Sequence, residues 1–139
     1  MKYIKLMAVS LALTLSIASL NAAAASREKV VIQVSDPDSV KWNLALNNAK
    51  NIQQSYGEGK VDVEIVVYGP GIGMLKADSI VGNRIEDAKS AGVKVVACEN
   101  TMKANKLTKA DMLSDTSYVP SGVVELIKKE KAGYAYIRP

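Results

Sequence analysis

From Lys29 onward the chain alternates between two kinds of hydrophobic pattern. Three short β-branched runs, KVVIQVS at 29–35, VDVEIVVY at 61–68 and VKVVAC at 93–98, read as strands. Their near-continuous apolar character is that of strands buried on both faces. Between the first two, SVKWNLALNNAKNIQQSY sets Trp42, Ala45, Ala49, Ile52 and Tyr56 at three- and four-residue spacing, one face of a helix. Asp36-Pro37-Asp38 ends the first run, because proline lacks a donor and disfavours helix in the residue before it. Asp38 or Ser39 is placed to cap the helix, and Gly57 supplies the left-handed residue that closes it.

The pattern continues with a loop, Gly69-Pro70-Gly71-Ile72-Gly73, and a helical region over about 78–91 with Ile85 and Ala88 facing inward and Gly92 at its stop. A short helical piece around 100–106 leads to Thr108-Lys109-Ala110-Asp111, an N-terminal capping arrangement. A short fourth strand is predicted near 116–119. Ser121 then caps VVELIKKEKA, Gly133 ends that helix, and YAYIR forms a last strand. Such a strand at a sheet edge would put Tyr134 and Tyr136 on one face, suited to a contact between subunits. Strands alternating with helices predict an α/β fold, a mainly parallel sheet covered on both faces. No internal repeat, low-complexity segment or linker divides the chain.

The N-terminus changes the picture of where such a domain works. MKYIK is basic, LMAVSLALTLSIASL is apolar and uncharged, and NAAAAS offers the small-x-small pattern of a cleavage site. This predicts a secretory signal over residues 1–25, a single domain over 26–139, and a periplasmic location with no membrane attachment after cleavage. An uncleaved anchor is the alternative, but the apolar run is short for a span of about 20 residues. The formal charge of +4 includes Lys2 and Lys5 of that leader. No basic block interleaves with aromatics, so nucleic acid is not an expected partner. The sequence has no histidine, which removes Ser-His-Asp and Cys-His catalysis and the commonest metal ligand. No metal or cofactor is expected, and any chemistry must run on carboxylates or on the single cysteine, Cys98.

In an open parallel sheet, ligands bind beyond the carboxyl ends of the strands. Four segments fall there: Ser35 to Asp38, Gly69 to Gly73, Cys98 to Met102, and Pro120 to Gly122. Cys98 ends its strand just before a predicted helix start, where backbone N–H groups favour a thiolate over a thiol. A lone cysteine is also a common small core residue. Export weighs against that reading, because an exported chain with no pairing partner must either shield its thiol or use it. The glycines of YGPGIGM alternate and do not follow a phosphate-binding spacing, so Gly69, Gly71 and Gly73 are read as a close backbone approach walling a small pocket beside Cys98. Asp38 and Asp78 read as helix caps, and Glu99 as a helix N-terminal acid whose charge would oppose a thiolate.

With these residues placed, the sequence resembles the DsrE/DsrF-like family. The resemblance rests on VVYGPGIGML at 66–75, VVACENTM at 95–102, LTKADML at 107–113 and VPSGVVELIKKEKAGYAYIRP at 119–139. It implies a three-layer α/β/α fold with a mainly parallel five-stranded sheet, and assembly as a homo-oligomer, trimer or hexamer. Some members carry sulfur as a persulfide on a cysteine ending the third strand, the position that Cys98 matches. Asn100 and Thr101 would then steady the anionic sulfur, while the Gly69–Gly73 loop, Ser121 and Gly122 would shape the pocket. The leader and the Glu99-Asn100-Thr101-Met102 sequence differ from the cytoplasmic relay carriers, so their donors and acceptors do not transfer. Two other readings stand beside sulfur carriage: a small-molecule-binding module using the same pocket, and an oligomeric interaction protein.

Overall fold

The computed structural model describes residues 26–139; the predicted leader lies outside them. Five strands, β1 (Glu28–Val34), β2 (Val61–Val67), β3 (Lys94–Cys98), β4 (Ser117–Val119) and β5 (Ala135–Ile137), form one sheet in the order β4-β3-β2-β1-β5. Every pairing is parallel. Parallel neighbours need crossovers, supplied by α1 (Ser39–Tyr56), α2 (Gly82–Ser90), α3 (Glu99–Ala104) and α4 (Gly122–Lys131). β1 to β4 are laid down in one direction, and α4 carries the chain back so that β5 pairs on the free side of β1. The arrangement is a three-layer α/β/α protein, as expected.

The strand runs predict the layers correctly because each strand serves two cores. On one face, Val30, Ile32, Val34, Val63, Ile65, Val67, Val95 and Ala97 pack with Trp42, Ala45, Leu46 and Ala49 of α1 and Ile85 of α2. On the other, Val31, Val66, Val96 and Val119 pack with Leu126 of α4. Fully burying each such aliphatic contributes about 1.5–3 kcal/mol, and interleaving the two sets explains the lack of alternation in the sequence. Asp38 caps α1, its carboxylate accepting from Val40 N at 2.8 Å, and Gly57 closes it at φ 97°. Thr108 and Asp111 form the expected capping box, around a single 3-10 turn.

Four local expectations are corrected. Tyr56 is exposed; Gln53 takes the buried position at that end of α1, and Leu46 joins the buried face nearer its start. Gln53 is drawn in because its amide donates to Ala91 O at 2.6 Å. The glycine segment is a 3-10 helix, Gly69–Leu75, and not an open loop. Asp78 caps nothing: α2 begins at Gly82, and Asp78 pairs with Lys76 at 3.5 Å. The chain from Leu75 to Ala77 is pinned to the segment after α3, with Leu113 N on Leu75 O at 2.8 Å and Ala77 N on Asp111 O at 2.9 Å. That holds it extended and delays the helix. Lastly, β5 is only three residues long and Tyr134 precedes it, packed on the α4-side core, while Tyr136 on the same face is exposed.

Candidate functional site

Register places the chemistry. Val34 pairs with Val67, Val67 with Ala97, and Cys98 with Val119. One residue further on, Ser35, Tyr68 and Cys98 therefore form a row with Val119 across the carboxyl edge of the sheet. Cys98 shares the α4 face with Val96, two residues earlier on its strand, because side chains alternate along a strand. This edge is where ligands of open parallel sheets bind, although Cys98 lies two strands away from the β1/β5 junction where the winding reverses.

Cys98 is the N-cap of α3. Its backbone is extended (φ −78°, ψ 113°), and its Sγ accepts from Thr101 N at 3.5 Å, the role a Ser or Asp usually fills. The Thr101 hydroxyl is part of the same arrangement. Its Oγ1 accepts from Gly69 N at 2.9 Å, which leaves its hydrogen to point at the sulfur. The residue is buried at 4 % exposure, and desolvation alone would raise the thiol's pKa. The hydrogen bonds from the Thr101 side chain and from the Gly122, Thr101 and Asn100 amides together outweigh that burial and hold the thiol below its ordinary value. Asn100 contributes least, since its N–H already donates to Pro120 O at 3.2 Å.

Gly122 reaches the sulfur because it has no side chain. A Cβ there would sit 2.8 Å from the Cβ of Tyr68 and 3.1 Å from its ring. This close approach brings the first turn of α4 onto Cys98, where the N–H of Gly122, one of the helix's orphan donors, faces the sulfur; Ser121 makes no side-chain cap. Two helix starts, α3 and α4, thus converge on one atom.

The structure brings together Cys98, Thr101, Gly69, Gly122 and the backbone of Asn100. It keeps the other predicted residues apart. The Asn100 side chain is exposed, and Ser121 is half-buried with its side chain uncommitted. Gly71 lies against the end of β1, where a Cβ would meet Val34 O at 2.7 Å, and Gly73 lies against the Trp42 ring. Both serve the α1 side of the sheet and not the sulfur. The described cavities also lie elsewhere: one of about 210 Å³ between α1 and α2, one of about 150 Å³ beside Glu64 and Lys129, and one of about 350 Å³ by Trp42 and Ile80.

Sequence reasoning missed Tyr68 and Gln33. Tyr68 stands beside Cys98 in the row, and its Oη accepts from Gln33 Nε2 at 3.0 Å. Gln33 is 3 % exposed, its Nε2 also donates to Ser35 Oγ, and its Oε1 has no partner among the described residues. A glutamine inside KVVIQVS was the available signal, because a buried strand admits an amide only where it has partners.

Fold and site together define a wound, all-parallel α/β domain presenting a cysteine at a helix cap. A model of the DsrE/DsrF-like family matches residues 28–139, and the chain belongs to that family. Among solved structures it is similar to MTH1491 of Methanobacterium thermoautotrophicum, a protein of unknown function, with TM-score 0.76, 29% identity, and coverage of 81% of this chain and 99% of that one. BT1422 of Bacteroides thetaiotaomicron, also of unknown function, matches with TM-score 0.66 at 15% identity, covering 81% and 95%. The ychN protein of E. coli matches with TM-score 0.64 at 12% identity, covering 81% and 99%. The last two similarities show the fold alone. No curated protein matches the chain.

Proposed function

We propose that this protein is a sulfane-sulfur carrier that loads and unloads a persulfide on Cys98. The observation that carries the reading is the convergence of N–H and O–H donors from Thr101 and Gly122 on Cys98 Sγ, against burial that would otherwise favour the neutral thiol. Capping α3 accounts for the Thr101 N–H, but not for the Thr101 hydroxyl or for the N–H of Gly122 from a second helix. They suit an anion, whether thiolate or persulfide.

In the loading step, the Cys98 thiolate attacks the terminal sulfur of a hydropersulfide R–S–SH. The new bond is Cys98 Sγ–S, the donor's S–S bond breaks, and its electron pair leaves with R–S⁻. The proton stays on the transferred sulfur, so no separate oxidant or reductant is needed. Unloading is the same displacement by an acceptor thiolate. Throughout, the Thr101 and Gly122 donors face the sulfur that carries or loses charge.

The test is intact mass after incubation with a small hydropersulfide donor. The mature chain should gain one sulfur atom, and Cys98→Ser should gain none. A wild-type chain that stays unmodified while a free thiol is loaded would remove the carrier reading. The predicted leader supports a periplasmic site of action. Recovery of the chain only from the cytoplasm, with residues 1–25 still attached, would contradict it.

A homo-oligomer is the accompanying proposal, supported by the α4 surface. Val123, Val124 and Ile127 of α4, and Tyr136 on the same side of the sheet, are each more than two-fifths exposed. Exposed apolar groups gathered on one face mark an interaction surface. Sedimentation should show an assembly that Ile127→Glu dissociates; a wild-type monomer at all concentrations would count against it.

A further inference from the structure

The carrier reading leaves one steric difficulty, and its resolution points to a residue that governs access. At 4 % exposure, Cys98 has little room for an incoming sulfur, still less for a donor carried on a protein. Its neighbours differ greatly in how easily they yield. Thr101 N and Gly122 N are backbone of α3 and α4, and Val119 is buried in the α4-side core. The remaining neighbour in the row is Tyr68, a half-buried ring at the rim.

Tyr68 is held in place by one side-chain hydrogen bond, from Gln33 Nε2 at 3.0 Å, and by contact with Gly122. The anchor is itself poorly satisfied. Gln33 Oε1 is buried with no donor among the described residues, and an orphaned acceptor bears its full desolvation penalty. Swinging the Tyr68 ring outward would admit water to Gln33 and relieve that penalty. The ring is therefore held only lightly, next to Cys98 in the row and against Gly122, the side chain best placed to limit approach to the sulfur.

We propose that Tyr68 is the specificity-determining residue of the Cys98 site. In its resting position it restricts loading to low-molecular-weight hydropersulfides and inorganic polysulfides, and it excludes persulfides borne on proteins. This rests on the carrier reading but is separable from it. Gly122 supports the same conclusion, since the missing side chain is what lets the ring lie against the start of α4 while the N–H stays on sulfur.

The experiment uses the full mature chain and two reagents with the same warhead, iodoacetamide and iodoacetamide linked to a large polyethylene glycol. The ratio of the two alkylation rates, referred to a free small thiol, reads size selectivity. Wild type should discriminate against the polymer reagent by at least about tenfold, the factor expected when an opening step worth one or two hydrogen bonds precedes reaction. Tyr68→Ala should abolish most of that discrimination. Tyr68→Phe, which keeps the ring and loses the Gln33 contact, should fall between.

Val63→Ala, which opens a cavity in the core on the opposite face, is the control for general loosening. Loss of selectivity in Val63→Ala equal to that in Tyr68→Ala would overturn the proposal. So would a wild type with no selectivity. If the pH midpoint of alkylation in the native chain is no lower than in the unfolded chain, the thiolate reading itself fails, whatever the size ratio. A lowered midpoint with a ratio unchanged by Tyr68→Ala sinks only the role of Tyr68.

Discussion

Lys129→Met is expected to lower stability by about 3 kcal/mol, the low end of what stranding a buried charge costs. Glu64 is the reason. It sits at the centre of β2 on the α4 face at 2 % exposure, two residues after the part-exposed Asp62 on the same face and two before the fully buried Val66. One oxygen, Oε2, lies at ion-pair distance from two lysines, 2.7 Å from Lys129 Nζ and 3.3 Å from Lys94 Nζ; beyond these contacts neither carboxylate oxygen has a hydrogen-bond partner among the described residues. Lys129 also lies 4.7 Å from the centroid of the Tyr134 ring and 3.7 Å from Glu125.

Without Lys129 the carboxylate keeps only Lys94, whose side chain is half exposed. The reverse change should be milder. Glu64→Gln leaves a lysine that still has Glu125 and a path to water, so about 1 kcal/mol is expected, the scale of one hydrogen bond. The double variant Glu64→Leu with Lys129→Met should regain most of the loss, because an apolar replacement of the whole pair removes the desolvation cost with the attraction. Urea denaturation of the four proteins tests this. Equal losses from both single changes, with no recovery in the double, would show that the pair acts otherwise.

Burial raises a competing effect at Lys129. Desolvation favours the neutral amine, but the hydrogen bond and charge of Glu64, with Tyr134 and Glu125, more than offset it and raise the pKa. A raised pKa contributes stability that is present below the unfolded value and lost only as pH rises through the folded one. The pair therefore holds throughout the neutral range.

How far the sequence could be read depended on how local each cause was. The strands and the main helix were legible because the β-branched runs and the Trp42, Ala45, Ala49 spacing express burial directly. Asp38 and Gly57 worked as local punctuation for the same reason. Cys98 could be placed at a strand end by its position alone. What could not be read was the return of α4 across the sheet, which brings Gly122 from 24 residues away onto the sulfur. Nor could the alternate glycines be told apart. Gly69 serves Thr101 through its N–H, whereas Gly71 and Gly73 accommodate β1 and Trp42. The delayed start of α2 likewise came from a distant partner, the segment ending at Leu113.

Tyr68 and Gln33 escaped for a related reason. Each is one polar group inside an apolar run, and only the register of β1 against β2 shows that they meet.

The second large effect expected is on the reactivity of Cys98 with pH. Because the donors of Thr101 and Gly122 outweigh burial, the native thiol ionises at lower pH than the same residue in the unfolded chain. A lowered folded pKa contributes stability that is fully present above the unfolded value and is lost as pH falls through the folded one. Stability should thus rise with pH between the two values in wild type, and that rise should vanish in Cys98→Ser. Gly122→Ala should shift the ionisation back upward, since a Cβ 2.8 Å from that of Tyr68 forces the start of α4 off the sulfur.

The measurement that bears on this most directly is the rate of Cys98 alkylation by iodoacetamide against pH, in native protein and in the same chain unfolded by urea. A native midpoint below the unfolded one, moved upward by Gly122→Ala, is the result expected. A native midpoint equal to or above that of the unfolded chain would mean that burial dominates at Cys98 and that the residue is packing.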